Sequence, residues 1–577
     1  MSSFYDDASL VVIPSGYKTS KVYAEKPTDG SGDLAFTRTG DTATRVNSAG
    51  LVEKVRTNLI LQSQTFDNAS WGKDTTTVTA NAEVAPDGTL TADTMTISTD
   101  ASRVTQGPTI GAGSFTASVY VKIISQTTAG DVRFLGVVDG SVVNVNFTPT
   151  NQWARYTATF TASTQITSFQ LRGATSGFVG TIAIWGFQLE ASDFGATAYI
   201  PTTTAAVSVG PVANVPRLDY LGSTCPRLIL EGQRTNLVTY SEQLDNAAWT
   251  KLFLGVTANN ATSPDGSTNA EKLIPDATLN THLFFQTITP AAGVYTLSAF
   301  FKAGEYNFAC LRLSTDSDTK RFAVVLNLTT GVITATDSLG SPTSTSSKVE
   351  NYGNGWYRLS ISSAHASGIM YPTFAVSSTA VPTFSNSLPL FTGNGTSGIF
   401  AYGCQLELGA YSTSLIPTLA ASATRGADAC SKTGISSLIG QTEGVLFVDW
   451  NYENKTDANG SIPIILTGSG GEAYIYVSGA GTLLGDLYNS GLQASIAGAI
   501  GSVGRKKIAF AYKQNDFVLY LNGVQIGTDT SGTVGSLTGL FVGSYYTSGY
   551  SSNTGINQAL LFKTRLTNAE LAELTTL

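Results

Sequence analysis

The chain is poor in the side chains from which most active sites are built. Only two of its 577 residues are histidine, His282 and His365, so a His-centred triad or a zinc site is hard to assemble. The four cysteines, Cys225, Cys310, Cys404 and Cys430, form no CxxC pair, which argues against a zinc ribbon or a redox motif. Two disulfides remain open on sequence alone, but buried free thiols fit better. Charged residues make up 13% of the chain, about half the usual quarter, and the net charge is −8. The densest basic cluster is Arg505-Lys506-Lys507, so nothing marks a nucleic-acid surface. No apolar run approaches the ~18 residues of a membrane span, and no membrane insertion is expected. The opening MSSFYDDASLVVIP has neither a basic start nor a long apolar stretch, so no secretory leader is expected there.

Against these scarcities stand 58 Gly, 27 Phe, 24 Tyr and abundant Ser and Thr, with 42% apolar residues. That is the composition of all-β structure with many turns rather than of disorder.

The chain also repeats itself. RTNLILQSQTFDNASW (56–71) returns as RTNLVTYSEQLDNAAW (234–249), and across 56–95 and 234–273 there are 18 identities in 40 ungapped positions. Further on, GAGSFTASVYVK (111–122) answers AAGVYTLSAFFK (291–302), and WARYTATF from Trp153 answers WYRLSISS from Trp356. IWGFQLE (184–190) answers AYGCQLE (401–407), and YIPT (199–202) answers LIPT (415–418). Large apolar residues recur at every second position in 115–122 and 153–160, the period of a half-buried strand. The PDG triplets at 86–88 and 264–266 predict turns. Each copy therefore reads as a two-sheet sandwich, a jelly roll, preceded by a β-hairpin: 45–53 before the first, 217–231 before the second.

Residues 443–577 form a third pattern of alternating strands, with turns at Lys513–Asp516 and at Asn522-Gly523. A short closing helix is predicted around Ala569–Leu574, with Thr567 as its N-cap. The expected organisation is an N-terminal arm and hairpin (1–55), a first jelly roll (56–205), a linker hairpin with a second jelly roll (206–428), and a terminal sandwich (429–577). The arm, too short for a domain of its own, is expected to dock on something else.

The string RTNL…DNA..W…VTAN…PDG, with the later W.RY, WG.QLE and IPT signatures, resembles modules of tailed-phage virion proteins, described as carbohydrate-binding-type jelly rolls. The stretch KKIAFAYKQNDFVLYLNGV (506–524) is similar to concanavalin A-like or laminin-G-like lectin sandwiches. The resemblance covers about 500 of the 577 residues. It departs where the second copy has Tyr402-Gly-Cys for Trp185-Gly-Phe. It implies a non-enzymatic protein of a fibre or decoration type, a homotrimer anchored to other virion proteins through its N-terminal arm. Such a protein assembles in the host cytoplasm and is exposed on the particle, where it adheres to host-surface or mucosal glycans. The alternative is a purely structural decoration or tail component that binds no sugar; a polysaccharide-degrading tailspike is disfavoured because no parallel β-helix repeat separates the modules.

No catalytic residue, metal or cofactor is assigned. His282 reads as a solvated loop histidine, Asp316 and Asp318 as a polar loop, and Asp87 and Asp265 as turn residues. Glu190 and Glu407 of the QLE motifs are expected to tie down a neighbouring segment. The repeat-equivalent pairs Trp71/Trp249 and Trp153/Trp356, and Trp185 with its counterpart Tyr402, read as packing residues. The candidate ligand contacts are Tyr545, Tyr546, Tyr550 and Asn553, among small polar residues after the strand near 540–542.

Overall fold

A computed structural model describes residues 4–175, 177–191, 195–453, 460–543 and 554–577. The chain divides into two compact units: 55–210, and 1–54 together with 211–577. The first repeat copy is thus an insertion into a unit whose own chain resumes at Pro211. Strands Arg56–Asn58 and Val207–Val209 pair antiparallel, with Arg56 opposite Val209, so the insertion begins and ends at one place.

The inserted module is built on one nine-stranded antiparallel sheet. Its strand Ala154–Gly173 pairs through its first half with Ile110–Thr128 and through its last residues with Val132–Val138 and Arg103–Gln106. One long strand thereby contributes to both layers of the sandwich. Alternation decides the faces: Phe115, Ala117, Val119 and Val121 point into the core with Trp71, Phe134, Phe160 and Phe187. Tyr120, between Val119 and Val121, belongs to a separate cluster on the other face.

In the second unit, the second module is two six-stranded antiparallel sheets around Trp249, Phe284, Leu297, Phe301 and Phe374, while the hairpin Arg217–Asp219/Arg227–Leu230, expected to lead into that module, pairs with Thr554–Phe562 in the terminal sandwich. The terminal sandwich has an eight-stranded and a nine-stranded sheet around Trp450, Phe510 and Phe517. The closing helix is Asn568–Thr575, with Thr567 as N-cap in a capping box with Glu570. All four cysteines are free thiols; Cys310, Cys404 and Cys430 are buried, and Cys225 is exposed.

The N-terminal segment is not a free arm. Leu10–Val12 pairs with Thr554–Phe562, Leu10 opposite Leu561. Leu34–Thr37 pairs with Ala429–Thr433, Phe36 opposite Cys430. Leu10, Val22, Leu34 and Phe36 are wholly buried in the terminal core. These short apolar strands complete both sheets of their own chain, which leaves that edge paired rather than open.

The second unit is pinned by buried charge. Arg217 donates to both Asp428 and Glu231, the latter at 2.8 Å. Arg38 reaches Asp428 at 3.2 Å and Arg425 reaches Glu231 at 3.0 Å. Three guanidiniums share two carboxylates, and the side chains of all five are at most 4% exposed. Backbone carbonyls take further donors: Arg38 bonds Pro211 and Val212, both at 2.6 Å, and Arg425 bonds Gly232 at 2.6 Å, while the buried Nε of each of the three arginines has no partner. Burial alone would strip Arg38 of part of its basicity, and its group falls to about 10 despite Asp428. The knot joins the N-terminal segment, the hairpin before the second module and the link into the terminal sandwich.

Replacing Arg217 by Met leaves two carboxylates without their shared cation. The expected cost is about 3–5 kcal/mol. Calorimetry should show a lower melting transition for the unit 1–54/211–577 while the inserted module's transition stays in place. An unshifted thermogram would show that the knot does not hold this unit.

Candidate functional site

The repeated RTNL…W stretch closes each module. Asn58 donates to the carbonyls of Phe187 and Ile200 and accepts from Ile60 and Leu189 N–H. Asn236 makes the matching four bonds, to Cys404, Ile416, Val238 and Leu406. A single buried amide thus satisfies backbone groups of three segments that no sheet ladder reaches. Trp71 and Trp249 are core plugs, each donating its indole N–H to a carbonyl at 3.0 Å, Gln62 and Tyr240 respectively. In the QLE motifs Glu190 accepts from Thr197 N–H and hydroxyl, both at 2.7 Å, and Glu407 does the same with Thr413. These acids fasten the following segment to the sheet, as their sequence context indicated.

On the outer face of that sheet the copies part. At Gly186 and Gly403, with φ of +66° and +62°, the strand bulges. The extra residue turns Trp185 and Tyr402 outward while their neighbours remain in the core. In the second module this outer face is closed. The hairpin Thr44–Val46/Val52–Lys54 seats Val46 and Val52 on Ala270, Phe300, Trp356, Tyr402 and Leu415. Phe300, Trp356, Tyr402 and Leu415 are all at most 2% exposed. Leu51 covers Gly266, and Val52 N–H bonds the Pro264 carbonyl at 2.9 Å. Lys54 lies 2.8 Å from Glu242 and 3.1 Å from Asp265, and the Tyr402 hydroxyl donates to both acids. Burial works to raise the Asp265 carboxyl, but Lys54, Ser267 N–H and the Ser263 hydroxyl outweigh it and hold the group at about 2. The hairpin was expected to lead into the module it precedes; instead it packs on the later copy.

In the first module the equivalent positions are Tyr120, Trp153, Trp185 and Tyr199, which form their own cluster with Ala85 and Ala92. Trp185 is 5% exposed and forms the floor; Tyr120, Trp153 and Tyr199 are half-buried and rim it. Trp185 lies 4.6 Å from Tyr199 and 5.5 Å from Tyr120, ring centre to ring centre. The PDG turn beside it is exposed, and no atom lies within 4 Å of a side chain built at Gly88. Lys122 stands 5.7 Å over the Trp153 ring and 3.4 Å from Glu83, and Arg155 stands 5.3 Å over Tyr120. Gln64 replaces Glu242, so the acid that grips Lys54 has no counterpart here. Packing was the expected role for all these tryptophans. It holds for Trp71, Trp249, Trp356 and the buried Trp185, whose indole N–H bonds the Thr91 hydroxyl, whereas Trp153 is only half-buried. A signal was available in the sequence: Phe300 and Leu415 correspond to Tyr120 and Tyr199, apolar side chains exchanged for aromatics with a polar tip.

The remaining candidates are structural. His282 is not solvated: it is wholly buried, with Nδ1 2.6 Å from the Phe253 carbonyl and Nε2 3.0 Å from that of Phe391. Asp316 accepts from Ala366 N–H at 2.6 Å and pairs with Lys320, and Asp318 pairs with Arg321, which fixes a loop. Asp87 accepts from Thr89 N–H and hydroxyl in its turn. Glu271 is buried beside Asp245, and burial first, then Asp245, pushes its carboxyl up to about 9. Among the described residues no group of three or more His, Cys, Asp or Glu is placed to hold a metal ion. Tyr545, Tyr546, Tyr550 and Asn553 lie outside the described residues.

Two measurements follow. Lys54→Met strands Glu242 and Asp265 under the hairpin and should cost about 3–5 kcal/mol in thermal unfolding; an unchanged midpoint would show the seat is held by apolar contact alone. Glu271 takes up a proton on folding at any pH between its unfolded value of 4.5 and about 9, which penalises the fold across that window. Glu271→Gln removes the penalty and should raise stability at pH 7 by roughly 1–3 kcal/mol. The gain should vanish below about pH 4.5, and a variant that is destabilised at pH 7 would contradict the assignment.

No protein-family model and no curated protein matches this chain. Among solved structures it is similar to the tandem CBM22-1–CBM22-2 domains of Paenibacillus barcinonensis Xyn10C, at 12% identity over 61% of this chain and 98% of that one, with a TM-score of 0.23. The LG1–3 region of the laminin alpha2 chain matches at 12% identity over 81% and 96%, with a TM-score of 0.17. Trypanosoma rangeli sialidase matches at 8% identity over 93% and 98%, with a TM-score of 0.21. Scores this low carry no argument about function; the all-β sandwich architecture of the chain stands on its own strands.

Proposed function

We propose that the chain is a non-enzymatic adhesion protein whose inserted first module presents Tyr120, Trp153, Trp185 and Tyr199 to glycans. One observation carries the reading: of two equivalent outer faces, one is sealed by the chain's own hairpin, and in the other Tyr120 and Tyr199 stand for Phe300 and Leu415 and, with Trp153, stay half-buried around the buried Trp185. Sugar rings stack their C–H faces on such rings, while the adjacent Lys122, Glu83 and Arg155 offer charged partners for hydroxyl groups. A shallow site of this kind binds weakly, and many linked copies raise its avidity by orders of magnitude. The setting on a tailed-phage virion, with homotrimeric assembly, rests on the sequence resemblance of the modules. Attachment to other virion proteins then falls to a surface other than residues 10–37, which are committed to the chain's own sheets.

A purely structural role is the second reading, favoured by the second module, where the same face serves only for packing. A glycan array followed by calorimetric titration of the intact chain separates the two. The adhesion reading expects millimolar or tighter binding that drops about tenfold or more in Trp153→Ala with an unchanged circular dichroism spectrum. Binding that survives Trp153→Ala undiminished, or no binding by the unaltered chain, favours the structural role.

A further inference from the structure

The inserted module carries a row of arginines on the layer that does not hold the aromatic cluster. Strand Arg103–Gln106 pairs with the end of Ala154–Gly173, with Arg103 opposite Arg172. Val132–Val138 pairs with the same residues from the other side, with Arg133 opposite Arg172. Val104, Leu171, Val132 and Phe134 are core residues, so alternation sends all three arginines outward on one face. Adjacent strands lie about 4.8 Å apart, so the three side chains leave the sheet within about 10 Å of one another.

Like charges opposite one another weaken a sheet, and little offsets them here. Arg103 pairs at 2.9 Å with Asp74, whose side chain is 50% exposed. Arg172 gives its Nε and one Nη to the Asp100 carbonyl and its other Nη to Gln170, which fixes the middle of the row. Arg133 makes no hydrogen bond or ion pair among the described residues, and its Nε is buried without a partner. The other acids nearby are Asp100 and Asp131; neither carboxylate pairs with an arginine, and Asp131 accepts from the Thr148 hydroxyl. Burial first, then Arg133 and Arg103, draws the Arg172 group below its ordinary value, against a weaker pull from Asp100.

The second module fills the same row differently. Gln106 and Gln286 make matching bonds, to Leu61 and to Thr239, which aligns Arg103 with Leu283. Register then aligns Arg172 with Ala375 and Arg133 with Cys310. Those three residues are buried in an apolar cluster with Leu388 and Phe384. The covering residues belong to the connection 378–398, where the first module has only 174–178 between the corresponding strands.

We propose that the row Arg103–Arg172–Arg133 binds an oxyanion, the carboxylate, sulfate or phosphate of a discrete ligand. A guanidinium presents paired N–H donors at the spacing of two oxygens of such a group, and Arg133 has its fork uncommitted. Three cations in one row, on a chain of net charge −8, suit a single anionic group rather than a nucleic acid or another long polyanion. The site is independent of the aromatic face and of the function read from it.

The test titrates the intact chain with sodium sulfate, inorganic phosphate and sodium glucuronate, at an ionic strength held constant with chloride. The arginine Nε–H lines are followed by heteronuclear NMR. At least one of the three anions should saturate one site with a millimolar or tighter Kd, and which one does so names the group. Arg133→Gln should weaken that binding about tenfold or more. Arg133 has no bond to lose, so this variant keeps the fold, and Arg103→Gln gives the same reading from the other end of the row. Trp153→Ala should leave the titration unchanged. No saturable shift with any of the three anions overturns the proposal, as do shifts that chloride alone reproduces or binding that survives both arginine substitutions. A titration abolished by Trp153→Ala would place the anion on the aromatic face and also overturn it.

Discussion

Glu231 and Asp428 hold three arginines away from water, and the architecture of the larger unit depends on that knot. Five charges buried this deeply need acceptors for their terminal nitrogens, and the carbonyls of Pro211, Val212 and Gly232 supply them to Arg38 and Arg425, so the backbone there is fixed by the knot, although the Nε of Arg38, Arg217 and Arg425 has no partner. Those carbonyls belong to the segment where the chain resumes after its insertion and to the turn before the second module. The knot therefore specifies how residues 1–54 meet 211–577. Hydrophobic burial supplies the bulk of the stability of each core, but it is non-directional. The knot supplies the register.

The two copies show how one fold reaches two ends by few substitutions. Both keep the buried Asn, the Gln–Glu clasp and the core Trp, because these close the sandwich whatever its surface does. The outer face is free of that constraint. In the second module Phe, Tyr and Leu with two acids make a seat for an apolar hairpin ending in Lys54. In the first, Tyr, Trp and Tyr form a half-buried aromatic cluster, and Gln64 stands where Glu242 grips Lys54.

Much of this was legible in the sequence. Period-two alternation gave the strands, the repeat gave the modules, and the QLE acids were identified as fasteners because they sit near a strand end. The N-cap at Thr567 was readable because it is local. What was not legible is what depends on distance along the chain. Residues 10–37 pair with strands near 430 and 560, and the hairpin 44–54 packs on residues between Ala270 and Leu415, although neighbours in sequence are usually neighbours in space. His282 was misread for the same reason: its partners, Phe253 and Phe391, lie on distant segments with no counterpart in the local pattern. The half-buried position of Trp153 escaped because repeat equivalence was taken as the mark of a core position, when it marks only the same position in the fold.

The central claim is that one outer face is open to sugar and its twin is closed. Six tryptophans make this directly observable by fluorine NMR of chain labelled with 5-fluorotryptophan. Titration with a glycan that the chain binds should shift the Trp153 and Trp185 lines and leave those of Trp71, Trp249 and Trp356 in place. A shift of the Trp356 line, or a saturated titration in which neither Trp153 nor Trp185 moves, would contradict it.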